Sequence, residues 1–220
     1  MLFNYIWEGH TMSNLINLEN KFISPDRIAE MAIDNPALLN ELLAGISPQS
    51  QKSTRRENSS QAMMFMAETW PEILVPHWDY FVSLFNSPNG FSKYVAIYVI
   101  ASLTKIAPEK FVANTEVYFS LLDDDSVMVA SHAALNAAKI AQNCPSHQTE
   151  IIQRLLGVDN THHDPNHLGL LKAYVIEALN ALYPNTANQK EILNFVKAQI
   201  DSSSPKTGKM AKAFLKKYTG

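Results

Sequence analysis

Residues 121–145 have the sequence LLDDDSVMVASHAALNAAKIAQNCP, and this stretch decides the fold. Ala137 and Ile140 are three residues apart, as on the apolar stripe of an amphipathic helix, and a small alanine follows each of them. Pro145 ends that helix, because proline restricts the residue before it and lacks an amide donor. The stretch therefore predicts the end of one helix, an acidic turn, and an alanine-rich helix that stops before a proline.

The same arrangement recurs along the chain. Five prolines are separated by 35, 37, 37 and 39 residues: Pro36, Pro71, Pro108, Pro145 and Pro184. An apolar residue stands five positions before each proline: Met31, Met66, Leu103, Ile140 and Leu179. A second apolar pattern follows each proline, so the repeating unit is helix, proline turn, helix, polar turn. No window shows sustained period-two alternation, and the sequence predicts no sheet.

Residues 121–130, which lead into Ala133, Ala134 and Leu135, resemble the HEAT repeat, a member of the armadillo-like helical repeats. The resemblance covers residues 24–201. It implies an all-α fold, a right-handed α–α superhelix of about five helix pairs, in which the second helices line the concave face. Many members have Val-Arg where this chain has Val129-Ala130, so the family's usual Asp–Arg ladder between repeats is not implied.

The proline register also predicts the organisation of the chain. Residues 1–23 are a tail or extension, of which residues 1–11 receive no structural role. The five repeats are expected at about 24–48, 53–88, 90–124, 125–159 and 164–201. Residues 205–220 form a C-terminal capping helix, with Met210, Phe214 and Tyr218 on one face. The polar segment 47–61 is predicted to be a solvent-exposed loop that leads into the second repeat.

Composition narrows the class of protein. The chain has 220 residues, 46% of them hydrophobic, and a formal net charge of −3, which gives no global attraction to a polyanion. Cys144 is the one cysteine, so an internal disulfide is impossible and a reducing compartment fits. We find no signal peptide and no membrane span by sequence, and we expect a cytoplasmic protein whose oligomeric state stays open.

An acidic series is the most distinctive polar feature. One carboxylate precedes the apolar pair of each second helix: Glu41, Asp79, Glu116, Glu150 and Glu191. On a concave face these side chains would form an acidic ladder for a basic peptide or protein. The alternative is that each carboxylate stabilises the first turn of its own helix through the helix dipole.

Two further groups are candidate contacts. Trp78 and Tyr80 belong to an aromatic stretch and would form a recognition patch if exposed, although large aromatic residues are mostly core material. His163 and His167 would share a helix face and are weak metal candidates, whereas Asp164-Pro165 is typical of a helix start. We predict no cofactor and no metal.

The sequence favours a non-catalytic scaffold that binds a protein or peptide. Glycine-rich phosphate loops, HExxH and GxSxG are absent, and an enzyme is the less favoured class. One alternative is a nucleic-acid-binding solenoid resembling DNA alkylation-repair glycosylases, which would use Arg55, Arg56 and the C-terminal lysines. The negative charge of the acidic central region would repel the phosphates of a nucleic acid. Another alternative is a regulatory subunit of a larger enzyme.

Overall fold

The structure is a computed structural model that describes residues 17–219, and within this range the protein is all-α with no strand. The α-helices are α1 Pro25–Ile33, α2 Pro36–Gly45, α3 Thr54–Thr69, α4 Pro71–Leu74, α5 Trp78–Ser83, α6 Gly90–Leu103, α7 Pro108–Val112, α8 Thr115–Phe119, α9 Val127–Asn143, α10 Gln148–Leu156, α11 Pro165–Leu182, α12 Gln189–Lys197 and α13 Pro205–Thr219. The predicted fold class is confirmed. None of these helices combines the length and apolar composition that a membrane crossing requires.

The prolines mark the helix boundaries as the sequence predicts. Each of α1, α3, α6, α9 and α11, which we call the first helices, ends before one of the five prolines. Pro36, Pro71 and Pro108 then begin α2, α4 and α7, where the missing amide costs nothing because the first-turn amides have no helical partner. Pro145 and Pro184 lie instead in single turns of 3-10 helix.

The second helices of the second and third pairs are broken, which differs from the prediction of one helix each. Val75–His77 forms a 3-10 turn between α4 and α5, and Pro76 within it removes an amide donor. In the third pair, the break falls between α7 and α8. There the Thr115 hydroxyl donates to the Phe111 and Val112 carbonyl oxygens at 3.3 and 3.1 Å, which satisfies carbonyls at a helix end.

The first helices form one continuous layer. In chain order, α1, α3, α6, α9, α11 and α13 each pack along the next, while the second helices pack mainly against the first helices. Buried alanines of α9, such as Ala133 and Ala137, let neighbouring backbones approach closely. Phe214 of α13 is buried, and its ring lies 5.0 Å from that of Tyr183. The C-terminal helix thus covers the end of the layer.

Hydrogen bonds between neighbouring pairs repeat the period of the sequence. Their donors and acceptors are 37 to 41 residues apart: Tyr80 to Leu43, Asn58 to Leu18, Asn89 to Pro48, Asn143 to Thr104, Thr207 to Gly169 and Tyr218 to Asn180. Residues one period apart in sequence are therefore neighbours in space, as stacked repeats require.

The prediction of a solvent-exposed loop over residues 47–61 is correct for residues 47–53, which form no helix and are exposed or partly exposed, and wrong for residues 54–61. Helix α3 begins at Thr54, and Ser59 and Ser60 are buried. The reason is side-chain size, because a serine fits where α3 crosses Gly45 of α2. Asn58 is also buried, and its side-chain amide donates to the carbonyl oxygens of Leu18 and Asn20 at 2.9 and 3.0 Å.

Those bonds tie the start of the described chain to the fold. Leu18 is buried against the core, so the C-terminal part of the predicted 1–23 tail packs on α3. The prediction for residues 1–11 lies outside the described residues.

Candidate functional site

Four partly exposed rings form a row across three first helices. We call Tyr94, Tyr98, His132 and Tyr174 the ring band. Tyr94 and Tyr98 lie on α6 with ring centroids 4.9 Å apart, and the His132 ring on α9 is 4.8 and 5.7 Å from them. Tyr174 on α11 is 6.1 Å from His132. Each ring is partly exposed, so the band presents a rigid aromatic surface along one face of the layer.

A cation lies at each end of this face. The Arg56 guanidinium is 4.0 Å from the centroid of the Phe91 ring, which is one helical turn before Tyr94 on α6. The Lys206 ammonium is 3.7 Å from the centroid of the Tyr174 ring. Each contact contributes about 0.5–1 kcal/mol at an exposed site and fixes the orientation of the ring.

The middle of the band is uncharged. The Tyr98 hydroxyl and His132 Nδ1 are 3.3 Å apart. Burial lowers the pKa of His132, and the nearby Lys206 charge lowers it further. Burial raises the pKa of Tyr94, with smaller contributions from Tyr98 and Glu57. These shifts favour the neutral forms of His132 and Tyr94, which suit stacking and hydrogen bonding better than acid–base chemistry.

His132 should make stability depend on pH. Its ordinary pKa is 6.5, and its folded-state pKa is lower, so the unfolded chain binds the proton better. The contribution of His132 to the free energy of unfolding is complete above pH 6.5, and it is lost as the pH falls below that value. We expect the loss of unfolding free energy between about pH 7.5 and pH 5.5 to be smaller in His132→Gln than in the wild type, measured by urea unfolding.

The groups facing His132 do not change this sign. They are the rings of Tyr94, Tyr98 and Tyr174 and the cation Lys206, and none of them is a carboxylate that would favour the protonated imidazole. The variant His77→Gln is the control and should keep the wild-type pH dependence. Equal pH dependence in His132→Gln and wild type would contradict the prediction.

A polar network lies one to two turns beyond the band on the same helices. Lys139 on α9 forms an ion pair with Glu68 on α3 and donates to the Ser102 hydroxyl of α6 at 3.1 Å. Ser102 in turn donates to Glu68 at 2.9 Å. Burial raises the pKa of Glu68, but the hydrogen bonds from Lys139 and Ser102 outweigh it and the net pKa is lowered. Side chains of α3 and α9 thus meet across α6.

A small pocket opens between α11 and α13. Its volume is about 190 Å³, and its apolar walls are Ile176, Met210, Ala213 and Phe214. Glu177, Asn180 and Lys217 complete its lining. Lys206, which contacts the Tyr174 ring, shares a face of α13 with the lining residues Met210, Ala213 and Lys217, so the pocket adjoins the end of the ring band.

The acidic series is neutralised in part. Arg154 of α10 contacts both Glu116 and Glu150, and Arg55 of α3 lies 3.0 Å from Glu41. Asp79 and Glu191 are exposed on α5 and α12 and form no ion pair with a residue in the range 17–219. All five carboxylates lie on second helices, but only Asp79 and Glu191 have no ion pair within residues 17–219, and Arg154 offsets one of the two charges that it contacts. Partner binding by the series stays a prediction.

Trp78 does not lie on a recognition surface. Its side chain is 1% exposed and belongs to the core, since it begins α5 on the side that faces the first helices. Tyr80 is partly exposed, and its hydroxyl donates to the Leu43 carbonyl oxygen at 2.7 Å. Tyr80 therefore links the second pair to the first, and its polar group is already occupied.

The histidines of the α11 start are engaged in structural contacts. His163 is 8% exposed, with Nε2 3.0 Å from the Leu122 carbonyl oxygen, and His167 Nδ1 lies 2.9 Å from Asp164. The Asp164 carboxylate also accepts from the amides of Asn166 and His167 at 2.8 and 3.1 Å, which caps α11. Within residues 17–219, no three metal-ligating side chains of the His, Cys, Asp or Glu type converge.

The basic residues of the nucleic-acid alternative are dispersed. Arg55 pairs with Glu41, and Arg56 stacks on Phe91. The five lysines of α13 lie on the last helix of the layer, and α6, α9 and α11 separate them from the two arginines of α3.

The ring band was missed by the sequence interpretation, although a signal for it existed. Tyr98 and Tyr174 each stand ten residues before their proline, Pro108 and Pro184, and so occupy the same position on α6 and α11. A ring stands at this position in two of the five pairs, whereas the carboxylates recur in all five, so the periodic signal of the rings is the weaker one.

Comparisons with known proteins do not define a family. No family model matches the chain, and no curated protein matches it. Among solved structures, an engineered protein from the Northeast Structural Genomics Consortium is similar at 14% identity, with a TM-score of 0.45 and 87% of each chain covered. A likeness of this size carries no functional information.

Proposed function

We propose that this protein is a non-catalytic, armadillo-like scaffold that holds a protein or peptide partner on the face formed by its first helices. The ring band is the anchor of that face. Tyrosine is enriched among residues that dominate binding energy, because it offers a large apolar surface and a polar tip. Rings that already touch one another lose little freedom when a partner covers them. This row of four interlocked, partly exposed rings carries the proposal.

The contact between Lys139 and Glu68 supports the choice of face. These residues are 71 positions apart and belong to alternate first helices, α3 and α9. In a curved stack, side chains of alternate helices meet most readily on the inner side. Along the described chain, neighbouring first helices also pack more extensively than neighbouring second helices. We therefore propose that the first helices line the concave side, opposite to the arrangement implied by the HEAT resemblance.

The condition of the acidic series also favours the first-helix face. Two arginines already pair with Glu41, Glu116 and Glu150, so a basic partner would have to compete with them. We also propose that the protein works in the cytoplasm, a reducing compartment that fits its one cysteine. Burial raises the pKa of Cys144 to about 11, which keeps this cysteine a protonated, unreactive thiol.

Selection of peptides tests the proposal. Random twelve-residue peptides displayed on phage are selected on the immobilised protein and then measured by fluorescence anisotropy. We expect selected peptides to bind Tyr98→Ala/Tyr174→Ala at least about tenfold more weakly than the wild type, because truncation removes two anchors. Circular dichroism and urea unfolding of the variant establish that it is folded.

The control variant carries Asp79→Lys and Glu191→Lys on the second helices. It should bind the selected peptides as the wild type does. If the selected peptides bind this control more weakly but still bind the tyrosine variant, the binding site is the acidic series and not the ring band. Tight binding of a DNA duplex at low salt that weakens steeply with added salt would replace the proposal by the nucleic-acid alternative.

A further inference from the structure

The pocket between α11 and α13 has the size of a site for one apolar side chain. A cavity of about 150 Å³ holds a benzene ring, and this pocket measures about 190 Å³. Its floor is formed by Ile176 and Phe214, both buried, and Ala213 lies exposed at its rim.

Two lysines bracket the pocket along α13. Lys206, Met210, Ala213 and Lys217 follow one another at intervals of three or four residues and so share a face of the helix. Met210 and Ala213 line the pocket, and the two lysines lie before and after it. Lys206 and Lys217 are eleven residues apart, or about 16 Å along the helix at about 1.5 Å per residue.

Both ammonium groups can bind an anion while they keep their present contacts. Lys217 donates to the Asn180 side-chain oxygen at 3.2 Å, and Lys206 rests on the face of Tyr174. An ammonium group has three donors, so each retains free ones. Helix α13 has five lysines and no acidic residue, and its field favours a negatively charged ligand.

Glu177 places a negative charge at the pocket itself, in contrast to the two lysines. Its exposed carboxylate lines the pocket from α11 and forms no ion pair with a residue in the range 17–219. It repels an acidic group there, and the apolar walls formed by Ile176, Met210 and Phe214 favour an apolar side chain.

We infer that the α11–α13 pocket binds a partner segment in which an apolar side chain is flanked on both sides by carboxylates. This inference rests on the proposed function and names the chemistry of the partner. In an extended segment, side chains two residues apart point to the same side and the chain advances about 3.3 Å per residue, so carboxylates four residues apart span about 13 Å and reach Lys206 and Lys217 through their side chains. The apolar residue lies midway and enters the pocket. Because the pocket adjoins Tyr174, the rest of the bound segment lies on the ring band.

The test uses a labelled synthetic peptide, Ser-Glu-Ser-Leu-Ser-Glu-Ser, whose two glutamates are four residues apart and lie on the same side of an extended chain as the leucine. Binding to the full-length protein is measured by fluorescence anisotropy at low and at physiological salt. Replacing leucine by serine in the peptide should weaken binding at least about tenfold. Ala213→Phe, which fills the pocket from an exposed position, should have the same effect without changing the melting temperature.

Charge reversal has a matched control on the same helix. Lys206→Glu/Lys217→Glu should weaken binding at least about tenfold, and Lys212→Glu/Lys216→Glu, with the same net charge, by less than about threefold. The Lys206→Glu/Lys217→Glu protein should in turn prefer a peptide with lysines in place of both glutamates.

Two results would overturn the inference. One is equal weakening by both pairs of charge reversals, which would show a general attraction to α13. The other is failure of the wild type to bind the acidic peptide at low salt. If phage-selected peptides still depend on Tyr98 and Tyr174 in that case, the ring band remains the binding site and only the partner chemistry is wrong.

Discussion

Replacing Trp78 by alanine is expected to lower the free energy of unfolding by about 3–5 kcal/mol. Trp78 is among the largest fully buried side chains of the protein, and its loss removes apolar contacts and leaves a cavity that helical neighbours fill only in part. Urea unfolding followed by circular dichroism measures the change, with the slope of the transition checked for constancy.

Trp78→Phe separates packing from hydrogen bonding at the same site. The indole Nε1 is buried and has no hydrogen-bond partner within residues 17–219, so phenylalanine loses apolar area but no polar contact. We expect Trp78→Phe to cost clearly less than Trp78→Ala and to leave peptide binding unchanged. A loss below about 1 kcal/mol for Trp78→Ala would show that the side chain is not in the core.

Gly45→Ala is expected to destabilise the protein by about 1–3 kcal/mol through overpacking. A Cβ atom at Gly45 would lie 2.2 Å from Ser59 Oγ and 2.6 Å from Ser59 Cβ. Rotation of Ser59 could move Oγ, but its Cβ is fixed to the α3 backbone, so α2 and α3 must separate. The gain in helix propensity from glycine to alanine, about 1 kcal/mol, offsets only part of this cost.

Gly157→Ala is the matched control for that substitution. A Cβ there would meet its nearest neighbour, the Gln153 carbonyl oxygen, at 3.4 Å, and the backbone φ is −85°. We expect a neutral effect or a gain of about 0.4–1 kcal/mol, because alanine restricts the unfolded chain. Similar thermal and urea stabilities of the two variants would contradict the account of the α2–α3 contact.

Backbone chemistry made the helix ends predictable. Each of the five prolines removes an amide and restricts the preceding residue, and these local effects act whatever the neighbours are. Pro76 follows the same rule, but the repeat period does not indicate it, because Pro76 falls outside that period.

Burial of polar residues was less predictable. Ser59 and Ser60 have a polar composition that suggested a loop, whereas their small size is what the crossing with α2 requires. Hydropathy does not report how closely two backbones approach. The depth of such positions depends on a partner helix that local sequence cannot specify.

The candidate site was likewise predictable from sequence only in part. The recurring carboxylates were visible in sequence, but their compensation by Arg154 and Arg55 depends on which second helix faces which. The ring band required knowing that α6, α9 and α11 are neighbours and which of their faces is exposed. His132 stands out of register with Tyr98 and Tyr174 in sequence, and only packing brings it between them.

The one-period spacing of the ties between helix pairs bears on how the chain is made. Within residues 17–219, hydrogen bonds that involve side chains join residues at most 42 positions apart, and the Lys139–Glu68 contact is the exception at 71. Low contact order of this kind goes with fast folding, and stacked repeats can fold progressively from a local nucleus. During synthesis, each pair can therefore dock on its predecessor once about forty further residues have left the ribosome, long before the last helix exists.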